Sequence, residues 1–508
     1  NGIAVPAAGG SVTGEGISGS VVFDASAKTL TLENATISVT AKEKAIEIRS
    51  GIDTLILKGK NEIKWADESD KKTNIYAISA SSSSFLIKGN SRNDSLTVTL
   101  PGTKGGYRSA YAISTANCEI RNCSADITVI GGMQNFGDSV AIRVSDLKVK
   151  NAALDLIVGK DRQGNVQKAK QGACVFATGR ISIENSYVNA GIYSSLDAQH
   201  AYYYAALQGQ GGITCTDSVV YAESDVLQAG RTICLDGGDT TFSVKNSIFK
   251  AKSNQYTFSG YNYAKPTFEN SLVELESKDI VMRGPTFGTI SGFTKITATD
   301  KNGNVATYRP GDDLSTLSTD SRKVVIESQI HSHCVCGGKI ASEGHTGHYP
   351  LMWTKTDSLP TAAGNYYLTG NVLLKSNSDY FMPDGVQICL NGYAIRGVGG
   401  TNKPKLYANS GTLTVTDCDT RGAIGDIKMS SGELLVYGGK FVRELIIGET
   451  GGFTAADRVG IGAEVTNKGF IFGGIFDGAV INDGGTIKGG TFNGRVNLKR
   501  GNVIGGIY

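Results

Sequence analysis

Four of the chain's five histidines and two of its nine cysteines fall between His331 and His348. They read H-x-H-C-x-C-G-G, then H-x-x-H. Thiolate and imidazole together are the ligand set of tetrahedral zinc. Cys334, Cys336, His345 and His348 suffice for a closed shell of four. His331 and His333 stand as neighbours of that shell or as substitutes for the later pair. Gly337-Gly338 would let the backbone fold back between the two ligand pairs. A closed shell leaves no position for a reacting water, so the expectation is a structural zinc that stiffens a short link. The alternative is a solvated linker whose two thiols are reduced or disulfide-linked.

Carboxylates come second. Asp126 and Asp155 occupy equivalent places in successive repeats, a like-charge pair tolerable if solvated or bridged by a cation. Glu274 and Glu276 stand at i and i+2, which on a strand puts both side chains on one face about 7 Å apart. That separation would suit an inverting glycosidase. Alternating polar residues on an outer face are also the ordinary solvated surface of any stacked-strand fold. Aromatics come third: Tyr203, Tyr256, Tyr261 and Tyr263 sit in tyrosine-rich segments that read as loops. Exposed tyrosine faces stack on sugar rings while the hydroxyl reaches a sugar OH. The alternative is that these rings fold down against the flank of the fold. No G-x-S-x-G, G-x-x-x-x-G-K-(S/T) or H-E-x-x-H motif occurs. His200, beside an Ala/Tyr run, reads as a packing or surface residue.

The elements that would position these groups follow from composition and repetition. The 508 residues include 66 glycines, a fraction nearly double the usual ~7%. Fifty basic residues face 47 acidic ones, so nothing asks for a polyanion and nucleic acid is not expected as a partner. No apolar run approaches membrane-spanning length, so no membrane insertion is expected in this segment. Nine thinly spread cysteines are too few for a disulfide scaffold. Short Val/Ile/Thr/Leu runs alternate with polar residues, and Ala198–Leu207 is the one helix-like stretch.

An apolar–x–Asn/Gly/Asp step recurs at Asn34, Gly59, Gly89, Asn122, Asn151, Asn185, Asp217, Asn246 and Asn270. Period 2 holds on each side of the step, and the phase changes across it. A strand, a one-residue corner and a second strand produce that pattern. Such a corner takes a left-handed backbone, which Gly, Asn and Asp adopt most cheaply. The next residue is small: Ala35, Cys123, Ala152, Ser186, Ser218, Ser247, Ser271. The fold class predicted is all-β, one parallel β-solenoid coil per ~30 residues. A second pattern starts at Gly469, with a 16-residue period carried by Gly473-Gly474, Gly489-Gly490 and Gly505-Gly506 and by Phe476, Phe492 and Tyr508. Gly438-Gly439 with Phe441 reads as an earlier copy. The expected organisation is a β-helix over 1–330, the Cys/His-rich linker over 331–350, and a shorter-repeat β-solenoid over 351–508. The chain starts at Asn1-Gly2 without a signal-like core and stops within a repeat. Further domains of the same chain are therefore expected.

The corner-and-strand pattern through 20–296 resembles the right-handed parallel β-helix of the pectate-lyase-like superfamily. The phrases Val22-Phe23-Asp24, Lys28–Ile37, His331–Gly338 and Ile388–Ile395, with Gly-Gly-Thr-Phe-Asn-Gly at 489–494, resemble large secreted proteins of gut anaerobic bacteria. The resemblance implies an extracellular, surface-associated protein. No position matches the catalytic arginine or the calcium-binding aspartates of a pectate lyase. The expectation is thus a non-catalytic β-helix protein that binds carbohydrate or acts as an adhesin or stalk. Its partner would be a glycan or another host or bacterial surface component. The alternative is a polysaccharide lyase or glycoside hydrolase acting along the rod.

Overall fold

The computed structural model describes residues 8–507 apart from 40–42, 50, 66–73, 102–108, 131–137, 162, 167–170, 195–202, 227–229, 238–239, 261–263, 331, 334, 337–338, 341–350, 376–379, 399–405, 409–410, 419–420 and 457–458. It is all-β: among the described residues one short 3-10 turn, Leu314–Thr316, interrupts the strands. The chain divides into two compact units, Asn1–Ile330 and His331–Tyr508.

Unit 1 is a parallel β-solenoid with three strands per coil. Two strands flank each Asn/Gly/Asp corner, and the third stacks into a separate nine-stranded sheet. The corner residues Asn34, Asn122, Asn151, Asn185, Asp217, Asn246 and Asn270 all have φ between 43° and 53°, and Gly59 has φ 66°. Left-handed backbone costs an L-residue roughly 1–2 kcal/mol, least for Asn, Asp and Gly, and this selects the residue type at each corner.

Stacking explains the small residue after the corner. Ser186, Ser218, Ser247 and Ser271 are buried, and each hydroxyl donates back to the carbonyl two residues earlier at 2.6–2.7 Å. Each hydroxyl oxygen also accepts the N–H of the preceding coil's corner: Ala152, Ser186, Ser218 and Ser247 donate at 3.0–3.1 Å. The backbone amides of a tight buried turn are thereby satisfied without water. Inside, Ile87, Ile120, Val149, Ile183, Cys215, Val244 and Phe268 follow one another in register, all at most 1% exposed. Toward the end of the unit the core becomes aromatic. The Phe242 ring meets Phe249 and Phe258 edge-on, with centroids 5.2 and 4.8 Å apart.

One corner departs from the repeat. Gly89 has no left-handed conformation, and Ile87 pairs with Leu55 rather than Leu57, a slip of two residues. The turn instead runs through Asp94, whose carboxylate accepts the N–H groups of Gly59, Asn90 and Ser91. At its two ends unit 1 abandons parallel pairing. Ile17–Asp24 lies antiparallel to Thr29–Val39. Lys323–Glu327 lies antiparallel to both Leu272–Ser277 and Lys295–Thr299.

Apart from two short antiparallel pairs, Ser332–His333 with Leu351–Met352 and Val335–Cys336 with Lys339–Ile340, unit 2 is also parallel-stranded, built from a twelve-stranded and a seven-stranded sheet. Phe441, Ile461, Phe476 and Phe492 form one inward column, with the Phe476 and Phe492 rings stacked at 4.9 Å. Ile461 occupies the aromatic position of one coil. Gly490 has φ 121°, and a Cβ there would sit 3.1 Å from the Phe476 ring, so this position takes only glycine.

Candidate functional site

The nine-stranded sheet of unit 1 carries the site. Its strands include Ala110–Ser114, Asp138–Val144, Gln171–Ala177, Tyr203–Gly209, Gly230–Leu235, Tyr256–Gly260 and Ile280–Arg283. The stretch that read as helix-like therefore ends in a strand, because Gln171–Ala177 and Gly230–Leu235 pair with it on both sides. Inter-strand pairing skips one position in most of these strands, for example Ala112, Ala141, Cys174 and Ala206. The skip lets residues three apart share the outer face.

Two outer columns result. The first runs Lys44, Tyr76, Tyr111, Val140, Ala173, Ala205, Arg231, Tyr256. The second runs Ser114, Arg143, Phe176, Gln208, Cys234, Ser259, Arg283. Val140, Ala173 and Ala205 are short, while their neighbours on either side are long. Tall side chains thus bound a low floor, and the result is a cavity of about 900 Å³.

An arginine lies over a tyrosine at each end. The Arg143 guanidinium is 5.0 Å from the Tyr111 ring centre and donates to its hydroxyl at 3.0 Å. The Arg283 guanidinium is 4.8 Å from the Tyr256 ring centre and donates to that hydroxyl at 3.0 Å. Five strand steps separate Arg143 from Arg283, which at ~4.8 Å per step makes about 24 Å. Among the described residues neither guanidinium forms an ion pair with a carboxylate, and both are exposed. Stacking on the ring fixes each guanidinium plane and leaves further N–H groups facing the groove.

The groups between them are held neutral or paired. Burial raises the Tyr111 hydroxyl above the usual tyrosine value, and it donates to Asp138 at 3.1 Å. Arg231 lies 3.7 Å from Asp236. Burial, with Asp236 beside it, pushes the Cys234 thiol up to about 12. It donates to Asp236 at 2.9 Å and is not a nucleophile at neutral pH. The described lining offers the cations Arg143, Arg231 and Arg283, the amides of Gln208 and Gln210 and the Phe176 ring, beside the carboxylates of Asp138 and Asp236.

The structure distributes the residues anticipated from sequence as follows. Tyr256 lies under Arg283 at one end of the groove, on a strand rather than a loop. Tyr203 opens a strand of the same sheet, two strands from Tyr256, and its side chain lies outside the described residues. Tyr261 and Tyr263 lie outside the described residues. So do Cys334, His345, His348 and His331, and the side chains of His333 and Cys336, so the zinc shell does too. Asp126 and Asp155 are in register one coil apart, as the repeat implied, on a different sheet. Burial raises Asp155 above the usual carboxylate range, against a hydrogen bond from Asn189 and the charge of Lys160. Glu274 and Glu276 share a face but also share Lys323, at 2.7 and 3.1 Å, and Lys250 lies 3.3 Å from Glu274. The Lys323 hydrogen bond holds Glu274 below its ordinary value, so Glu274 offers no protonated acid at neutral pH.

Arg143, Arg231, Arg283 and Tyr111 were not found from sequence. The third strand of each coil has no corner residue to align on, and its skipped position breaks period 2. Aligning Tyr76 with Tyr111 at a spacing near the coil length would have exposed the column. No protein-family model matches the chain, and no curated protein is significantly similar to it in sequence.

Proposed function

We propose that the chain is a non-catalytic, extracellular β-helix protein whose nine-stranded sheet binds a glycan bearing acidic groups. The observation that carries this reading is the pair of arginine-on-tyrosine stations at the two ends of a floor of small residues. Guanidinium groups pair bidentately with carboxylate or sulfate, and tyrosine faces take the apolar side of a sugar ring. The separation of about 24 Å suits an elongated oligomer lying along the rod axis better than a single sugar. The resemblance to pectate-lyase-like β-helices and to secreted proteins of gut anaerobes supports the extracellular setting, at a host or bacterial surface.

A glycan array with the whole chain tests the reading. Binding should concentrate on uronate- or sulfate-bearing glycans and weaken with salt. Arg143→Ala and Arg283→Ala should each weaken it roughly tenfold. Binding confined to neutral glycans, or unchanged in both variants, rejects it. The lyase or hydrolase alternative has one observation in its favour, the raised, half-buried Asp155 beside Asp126. We expect no unsaturated product or reducing end from pectin, alginate or glycosaminoglycans. Turnover abolished by Asp155→Asn would replace the binding reading.

A structural zinc on Cys334, Cys336, His345 and His348 is part of the same proposal, supported by donor chemistry alone. Elemental analysis of protein prepared without chelator or metal-affinity tag should find about one zinc per chain, lost on mild acidification as histidine protonates. Protein that is metal-free and cannot be reloaded would remove it.

A further inference from the structure

Unit 2 places two thiols from neighbouring coils together. Cys389 ends the strand Val386–Cys389, which pairs in parallel with Thr412–Thr416, so that Cys389 stands opposite Thr416. Two residues beyond Thr416, Cys418 brings its Sγ to 3.8 Å from that of Cys389. The turn that carries them is braced from both sides. Leu390 donates its N–H to the Thr416 carbonyl at 2.9 Å. The Asp417 carboxylate accepts the N–H of Gly392 at 2.8 Å and of Gly422 at 2.7 Å. Asn391 and Gly392 have φ 49° and 80°, which fixes a tight corner beside the first sulfur. Cys389 is fully buried, against Trp353 and Tyr367, whereas Cys418 is exposed.

We propose that Cys389 and Cys418 are an oxidative cross-linking site that staples these two coils through a disulfide. A disulfide needs sulfurs about 2.05 Å apart, so the proposed bond requires the remaining gap to be closed by rotation about the two Cα–Cβ bonds. The unequal exposure orders the chemistry. The oxidant is a small disulfide such as oxidised glutathione, or the disulfide of an oxidoreductase. The Cys418 thiolate attacks it, forming a mixed disulfide and releasing one thiol, which carries away the proton that Cys418 lost. The Cys389 thiolate then attacks the Cys418 sulfur, forms the internal bond and expels the second thiol with the second proton. Two protein thiols and one external disulfide become one protein disulfide and two external thiols. The hydrogen bond with Cys418, together with burial, raises the Cys389 thiol, so closure should quicken as pH rises.

The whole chain is incubated with oxidised glutathione, denatured, alkylated and mapped by mass spectrometry without reduction. The expected result is one cross-linked peptide pair joining Cys389 to Cys418, and a loss of two alkylated cysteines. The thermal midpoint of unit 2 should rise, and dithiothreitol should reverse the rise. Cys389→Ser should stop at the first step, with glutathione trapped on Cys418. Cys418→Ser should leave Cys389 unmodified in the folded protein. Full alkylation of both cysteines after oxidation, a stable glutathione adduct on Cys418 in the unsubstituted chain, or a bond from either cysteine to Cys334 or Cys336 overturns the proposal.

Discussion

The corner asparagines show how one residue type serves a backbone demand. Asn151 sits at φ 50° between two strands, with its side-chain oxygen accepting from Asn185 one coil on at 2.7 Å. Asn151→Val should cost on the order of 1–2 kcal/mol for the left-handed conformation alone. Chemical denaturation measures this, and an unchanged midpoint would mean that the corner relaxes elsewhere. The corners were legible in the sequence because the demand is local, a positive φ written as Asn, Asp or Gly. Gly89 misled because the chain inserts residues there and returns to the stack through Asp94. Burial works against the Asp94 carboxylate, yet three backbone N–H groups outweigh it and hold its pKa below the ordinary aspartate value. A depressed folded-state value means stability present above about pH 4 and lost as pH falls through the folded value. Asp94→Asn should therefore flatten the acid limb of a stability-against-pH curve for unit 1. A variant as acid-sensitive as the parent would show that this carboxylate has no part in it.

Strand stacking decides what the groups can do. The phenylalanines of the last coils pack ring to ring, with Phe242 touching Phe249, Phe258 and, at 6.1 Å, Phe268. Phe242→Ala leaves a cavity that parallel strands on both sides cannot collapse into. It should cost about 3–5 kcal/mol, read as a lowered denaturation midpoint. A loss below about 1 kcal/mol would indicate that the coil repacks. The inward column was readable because period 2 holds on both sides of each corner. The groove was not, because its residues lie on the strand without a corner, and a skipped position shifts their phase. Arg143 and Arg283 are 140 residues apart in sequence and belong together only through five rungs of register. Glu274 and Glu276 illustrate the opposite error. Their i, i+2 spacing did place them on one face, but Lys323 arrives from an antiparallel strand that no repeat announces.

Across the molecule, each unit closes around its own apolar core. One runs from Val12 to Ile326, the other from Leu368 to Phe492. Stability in a stacked-coil unit is carried by neighbouring coils, so neither unit needs the other's core to fold. Residues 1–330 expressed alone should keep a strand-type circular dichroism spectrum and one cooperative unfolding transition. A molten or aggregated product would show that unit 1 depends on the rest of the chain.

The antiparallel strands at the ends of unit 1 bear on its solubility. Parallel rungs spaced at ~4.8 Å with like residues above like have the repeat of a cross-β fibre. A bare terminal rung would offer its amides and carbonyls to the next molecule as a template. In unit 1, Ile17–Asp24 runs against Thr29–Val39 at one end, and at the other Lys323–Glu327 runs against Leu272–Ser277 and is itself covered by Lys295–Thr299. Along Lys323–Glu327, Lys323, Val325 and Glu327 face outward, while Val324 and Ile326 turn inward. Deleting residues 295–327 should uncover Leu272–Ser277 as an open parallel edge. The shortened unit should elongate end to end into thioflavin-positive fibres, while the intact unit sediments as a single species. By this reasoning the cap acts as a chain terminator for a polymerisation that every internal rung of the rod is shaped to propagate.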